Sequence, residues 1–109
     1  MNYFEVPRRV IELVLQAEAI VEMLEARRPG ERWAMTAFSR FRCLQLLGAP
    51  YEPYGGQLQA DPAELLDQAA REVDQLDAPI DQLSWRLALA DALRSAAQDI
   101  RMVQDAHDV

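Results

Sequence analysis

Residues 7–28 read PRRVIELVLQAEAIVEMLEARR and predict the first helix of an all-α fold. Apolar residues recur at spacings of four and three along this stretch, which is typical of one face of an amphipathic helix. That face consists of Val10, Val14, Ala17, Val21 and Leu24. A proline in the first turn and the Pro29-Gly30 pair after the last turn mark the two ends. Ile11 and Leu15 fall outside this face, so we expect them on a second contact surface.

Turn signals divide the rest of the chain into three further helices. Gly48 ends the second helix, Asp61-Pro62 begins the third and Pro79 begins the fourth. The predicted helices span about residues 7–28, 31–47, 62–76 and 79–106. Residues 48–61 are rich in Pro, Gly and Tyr and predict a loop. We therefore expect a single helical domain over residues 1–109, a four-helix bundle-like fold in which this loop joins two helical hairpins.

The second predicted helix mixes aromatic residues with arginines. One side carries Trp33, Ala37, Phe41 and Leu44, with Phe38 beside them, and the remaining surface carries Arg32, Arg40 and Arg42. Charged side chains seldom lie in a core, so we expect the aromatic side to face inward and the arginines to face solvent. The alternative is that the mixture of arginines and aromatic residues binds carboxylates, phosphates or a protein partner.

Charge is distributed unevenly along the chain. Residues 1–56 contain seven Arg and seven Glu, whereas residues 57–109 contain four Arg and eleven Asp or Glu, so the second part carries the whole formal net charge of -7. A negative chain repels phosphate backbones and anionic lipid surfaces. This disfavours direct nucleic-acid binding and membrane binding.

The single cysteine, Cys43, excludes an intrachain disulfide, and no export signal precedes the first helix, so we expect a cytoplasmic location.

The sequence lacks the residue combinations of common active sites. His107 is the only histidine and lies near the chain end, and no serine or cysteine has a recognisable catalytic base. Zinc sites need clusters of Cys and His, which are absent here. Glu18, Glu22 and Glu25 lie along one helix face that we expect solvent to cover. We therefore predict no catalytic residue, no cofactor and no metal, and a protein that is not an enzyme.

The fourth helix carries more apolar surface than one neighbouring helix covers. One stripe contains Ile80, Leu83, Leu87, Ala90 and Ala97, and the other contains Trp85, Leu89, Leu93, Ala96, Ile100 and Val103. A face this wide fits a homodimer whose interface consists of Trp85, Leu89, Leu93, Ile100 and Val103. The alternative is that a central helix of a monomeric bundle buries both stripes within one chain.

These features together predict a small protein-binding regulator of a bacterial type, such as an antiactivator, an immunity protein or a secretion chaperone. Its mechanism is to dock on a partner protein, for example a transcription regulator, and to block or stabilise one of the partner's states. The candidate partner-binding residues are Ile11, Leu15, Phe38, Tyr51 and Tyr54. Two alternatives stay open. One is an acidic nucleic-acid mimic that uses Asp67, Asp74, Asp81 and Asp91, and the other is a structural subunit of a larger assembly.

Overall fold

A computed structural model describes residues 6–48 and 54–107, with the side chain of His107 left out. Within these residues the chain is all-helical. The α-helices are α1 (Arg8–Arg27), α2 (Ala37–Leu47), α3 (Pro62–Asp74) and α4 (Leu83–His107), and single 3₁₀ turns at Trp33–Thr36 and Ile80–Gln82 precede α2 and α4. The predicted helical-bundle fold is confirmed.

The ends of the helices follow from capping residues. The Asp61 side chain accepts a hydrogen bond of 3.1 Å from the Ala63 backbone N–H, and Pro62 occupies the first helical position of α3. Gly48 ends α2 in a left-handed conformation with φ of 65°, and its N–H donates to the carbonyls of Leu44 and Gln45. These two ends leave residues 49–61 to connect α2 with α3.

Helix α4 lies at the centre of the bundle, with α3 packed on one side and α2 on another, while α1 packs on α3. Its 25 residues correspond to roughly 37 Å at 1.5 Å per residue and account for most of the 44 Å long dimension of the molecule. Arg101 pairs with Asp67 at 2.6 Å and Arg94 pairs with Asp74, which fixes α3 and α4 as antiparallel neighbours. The buried side of α4 begins at Leu89 and includes Leu89, Ala90, Leu93, Ala96, Ala97, Ile100 and Val103.

The inward side of α2 differs from the prediction. Phe41, which we expected in the core, is 60 % exposed, and Ala37 is also exposed. The buried residues of this segment are Trp33, Thr36, Ser39, Arg40, Cys43 and Leu47. The helix is therefore rotated so that its aromatic side faces solvent. Arg40 lies inside because the Glu18 carboxylate of α1 and the Thr36 hydroxyl accept its hydrogen bonds, and these contacts offset part of the loss of water.

Candidate functional site

The outer face of α2 exposes large apolar side chains. Phe38 is 83 % exposed, Met35 is 65 % exposed and Phe41 is 60 % exposed. We call these three residues the aromatic ridge. Their spacing of three places them on consecutive turns, on the side of α2 opposite the buried Thr36 and Cys43. Single exposed apolar residues are common, but a contiguous group of three is a typical mark of a binding surface.

A groove of about 410 Å³ lies beside the ridge, between the segment that precedes α2 and the last turns of α4. Met35 belongs to both the ridge and the groove, and the exposed Met102 contributes from α4. The lining residues are Gly30, Glu31, Arg32, Met35, Asp99, Met102, Val103 and Ala106. Methionine side chains are flexible and polarisable, so such a lining adapts to partner side chains of different shape.

Hydrogen bonds inside the protein fix the segment that forms one groove wall. The buried indole of Trp33 donates from Nε1 to Glu31 Oε2 at 2.6 Å, and Arg28 Nη1 lies 3.4 Å from the other oxygen of the same carboxylate. The Thr36 hydroxyl donates to the Trp33 carbonyl at 2.7 Å. These contacts hold Met35 in place because it lies between two anchored residues.

A second set of polar contacts attaches α2 to its neighbours behind the ridge. The Ser39 hydroxyl donates to Asp99 Oδ2 on α4 at 2.7 Å. Arg40 Nη1 donates to Glu18 Oε1 on α1 at 2.6 Å, and Arg40 Nε donates to the Thr36 hydroxyl at 2.8 Å. Burial raises the pKa of the Glu18 carboxyl above its ordinary value, further than the ion pair with Arg40 lowers it. Glu18 is therefore not the solvated carboxylate that its helix position suggests.

The ridge is basic as well as apolar. Residues 32–48 contain three arginines and no acidic residue, and two of the arginines are exposed, since Arg40 is buried and paired with Glu18. Arg32 lies at the groove and Arg42 lies one turn beyond Phe38, and both are exposed. Neither takes part in an ion pair within residues 6–48 and 54–107. The arginine charges on this surface are thus free to meet a ligand.

A smaller apolar surface lies at the start of α4. It consists of Ile80, which is 88 % exposed, Leu87, which is 61 % exposed, and Leu83. We call these three residues the α4 patch. They belong to the helix stripe that we expected to pack within one chain.

The predicted partner-binding residues do not form one surface. Phe38 lies at the centre of the aromatic ridge, and Tyr54 is half-buried. Ile11 is also half-buried and packs against the core, and Leu15 is only 7 % exposed. Leu15 is therefore a core residue and its assignment to a docking surface is wrong, because α1 buries a wider face than the first apolar stripe indicates. Tyr51 lies outside the described residues.

Four of the five residues predicted for a dimer interface lie in the core of one chain. The structure buries Leu89, Leu93, Ile100 and Val103 in the core of one chain. Trp85 is half-buried and donates from its indole Nε1 to the Leu46 carbonyl at 2.6 Å, which attaches α4 to the end of α2. These residues pack inward because α2 and α3 approach α4 from two directions and cover both stripes along most of its length.

Sequence reasoning missed Met35, Met102 and the role of Arg40. The sequence around Met102 contained a signal for its exposure. Its helix neighbours Gln98, Asp99 and Asp105 are polar, so an apolar residue among them lies on the outer side of α4. For α2 the signal was the regular spacing of Thr36, Ser39, Arg40, Cys43 and Leu47, which follows helix periodicity but is mostly polar. A hydrophobicity pattern alone assigns the opposite face.

The fold determines the reactivity of the Cys43 thiol and the grouping of the acidic side chains. Burial raises the pKa of the Cys43 thiol to about 12, which keeps it protonated and a poor nucleophile. Among the residues that the structure describes, no three His, Cys, Asp or Glu side chains are grouped closely enough to hold a metal ion.

No helix in the described part of the chain combines the length and the apolar character that a membrane span requires. Comparisons of this chain with protein-family models, curated proteins and solved structures gave no match.

Proposed function

We propose that this protein is a non-enzymatic regulator that binds another protein through the aromatic ridge and the adjoining groove. The observation that carries the proposal is the exposure of Phe38, which is 83 % accessible in the middle of the ridge although it is one of the largest apolar side chains in the chain. Aromatic and methionine side chains are enriched in protein interfaces, and a few buried aromatic anchors supply most of the binding energy.

The contacts behind the ridge support a binding surface that is already formed before the partner arrives. Arg40 joins α2 to α1, Ser39 joins α2 to α4, and Trp33 fixes the groove wall. A rigid surface loses less conformational entropy on binding than a mobile one. The regulator would act by occupancy, since a bound partner is held in the state that fits the ridge.

Affinity capture from the native cell tests this proposal. Tagged wild-type protein, Phe38→Ser and Ile80→Ser are produced at equal levels, and the captured proteins are identified by mass spectrometry. The matched control Ile80→Ser removes an equally exposed apolar side chain from the α4 patch. We expect one partner in comparable molar amount with wild type and Ile80→Ser, and its loss with Phe38→Ser. Equal recovery with Phe38→Ser, or no partner with wild type, would contradict the proposal.

A second candidate function is a subunit that associates with its own copies through the α4 patch. The observation that favours it is the exposure of Ile80 and Leu87 at the same end of α4. Light scattering tests it: a dimer mass for wild type and a monomer mass for Ile80→Ser/Leu87→Ser would support the α4 patch as the contact. A monomer mass for wild type would contradict self-association.

The acidic-mimic alternative has weaker support. Asp67 and Asp74, two of its four candidate carboxylates, bind Arg101 and Arg94 of the same chain, which neutralises part of their charge. A protein that imitates a phosphate backbone needs its charges free to face a basic partner.

A further inference from the structure

We infer that the partner segment bound at the aromatic ridge is acidic and amphipathic. The inference rests on the proposed function, and it specifies the chemistry of the partner. The chain has a net charge of -7, yet residues 32–48, which carry the whole ridge, contain no acid and expose two arginines, Arg32 and Arg42. A basic apolar surface on an acidic protein selects a partner of the opposite charge and disfavours basic competitors.

The positions of the arginines indicate where the partner's carboxylates would lie. Arg32 stands at the groove end of the ridge next to Met35, and Arg42 stands next to Phe38 and Phe41. Both side chains are exposed and lack ion pairs within the described part of the chain. Arginine binds carboxylates with two parallel hydrogen bonds. A segment whose apolar residues contact the ridge would therefore place flanking Asp or Glu residues beside Arg32 and Arg42.

Carboxylates in the groove restrict which part of the partner enters it. The Glu31 carboxylate forms an ion pair with Arg28 and accepts a hydrogen bond from Trp33. The Asp99 carboxylate accepts a hydrogen bond from the neutral hydroxyl of Ser39 on α2, which leaves its negative charge uncompensated by α2. An acidic side chain inside the groove would meet Asp99 at close range and be repelled. The groove between Met35 and Met102 is thus suited to an apolar side chain, and the acidic residues belong outside it.

The same carboxylates favour a peptide over a nucleic acid. A phosphate backbone carries a regular series of negative charges, so it cannot keep them away from Asp99 and Glu31 as a folded peptide can. Aromatic rings also stack with unpaired bases, and single-stranded DNA is therefore a useful comparison probe.

Selection from a display library of random 16-residue peptides tests the inference on the full chain. We expect the enriched peptides to have a net negative charge and apolar residues at helical spacing. Labelled copies of them should bind wild type at least about tenfold more tightly than Arg32→Glu/Arg42→Glu, since two like-charge contacts replace two attractive ones. Arg8→Glu/Arg71→Glu is the control, because it makes the same change in net charge at two exposed arginines, which pair with Glu12 and Glu64 of their own helices.

The outcomes separate this inference from the proposed function. Enrichment of neutral or basic peptides that still lose binding with Phe38→Ser would overturn the acidic partner and leave the ridge as the docking surface. Peptides that bind Phe38→Ser as well as wild type, or no enrichment at all, would count against both. Tighter binding of a labelled 20-nucleotide single-stranded DNA than of the selected peptides would also overturn the inference. Self-association that is lost with Phe38→Ser would identify a second copy as the occupant of the ridge and would overturn the inference.

Discussion

Arg40 joins three polar side chains behind the aromatic ridge. Its guanidinium contacts Glu18 at 2.6 Å, Glu25 at 3.8 Å and the Thr36 hydroxyl at 2.8 Å. The side chains of Arg40 and Glu18 are only 9 % and 14 % exposed, so both charges have lost most of their water. Pairing compensates for part of that loss, and the pair positions α2 against α1.

Replacing Arg40 should therefore destabilise the protein strongly. Arg40→Met keeps the size of the buried stem but leaves Glu18 without its charged partner, which we expect to lower the free energy of unfolding by about 3 kcal/mol at pH 7. Urea denaturation followed by circular dichroism measures this change. The control is Arg71→Met, which removes an exposed ion pair with Glu64 and should cost less than about 1 kcal/mol. Equal losses in the two variants would contradict a buried role for Arg40.

Glu18 predicts a specific dependence of stability on pH. Because burial raises its pKa above 4.5 in the folded chain, the folded state holds the Glu18 proton more tightly than the unfolded state does. The contribution of this group to the free energy of unfolding is therefore most favourable below its unfolded pKa and decreases as pH rises through the folded pKa. Unfolding measured from pH 4 to pH 7 should show wild type losing stability relative to Glu18→Gln. A relative gain over this range would contradict the raised pKa.

At the scale of the element, α2 shows what could and could not be predicted from the sequence. Its C-terminal end followed from Gly48, because an αL glycine is the usual way to end a helix. Its inward face did not follow, since Phe38 and Phe41 carry more apolar surface than Ser39 and Arg40. The choice of face depends on Glu18 and Asp99, which come from α1 and α4 and are distant in sequence. Local patterns predict helix ends well, but they do not contain partners that only the tertiary fold brings together.

Gly48 provides a test of the end of α2. Its φ of 65° suits glycine, and a Cβ at this position would meet no atom within 4 Å. Gly48→Ala should thus cost about 1 kcal/mol from backbone conformation alone. Gly30→Ala is the matched control, because it also has open space around it and has no positive φ, so it should change stability by less than about 0.5 kcal/mol or increase it. Thermal unfolding of both variants measures these changes. An unchanged stability of Gly48→Ala would contradict the left-handed conformation of residue 48 at the end of α2.

At the scale of the whole molecule, α4 is covered along most of its length by its own chain. The sequence correctly predicted a long final helix with two apolar stripes, and the burial of Leu93 and Ala97 shows that both stripes face inward beyond Leu87. Its first turns leave Leu83 and Leu87 exposed, and Met102 is exposed near its other end. The sequence could not separate burial within one chain from burial between two chains, because the two produce the same apolar pattern.

Two leucines of α4 test this assignment. Leu93→Ala should create a cavity in the core and lower the free energy of unfolding by about 3 kcal/mol, independent of protein concentration. Leu87→Ala removes the same atoms from a side chain that is 61 % exposed and should cost less than about 1 kcal/mol in a monomer. Urea denaturation at two protein concentrations measures both. A concentration-dependent loss for Leu93→Ala would indicate that this position belongs to an intermolecular contact.

Because Cys43 is buried, the reaction of its thiol with a reagent can report how often α2 separates from the rest of the protein. It is the only cysteine in the chain, it lies between α2 and the rest of the core, and its pKa of about 12 keeps the thiolate scarce at neutral pH. A chromogenic disulfide reagent should consequently react with Cys43 only when α2 separates from the core, so the labelling rate measures the frequency of this local opening. A ligand that binds the aromatic ridge and stabilises α2 would slow this labelling reaction. Ligand binding could therefore be measured without an added fluorophore.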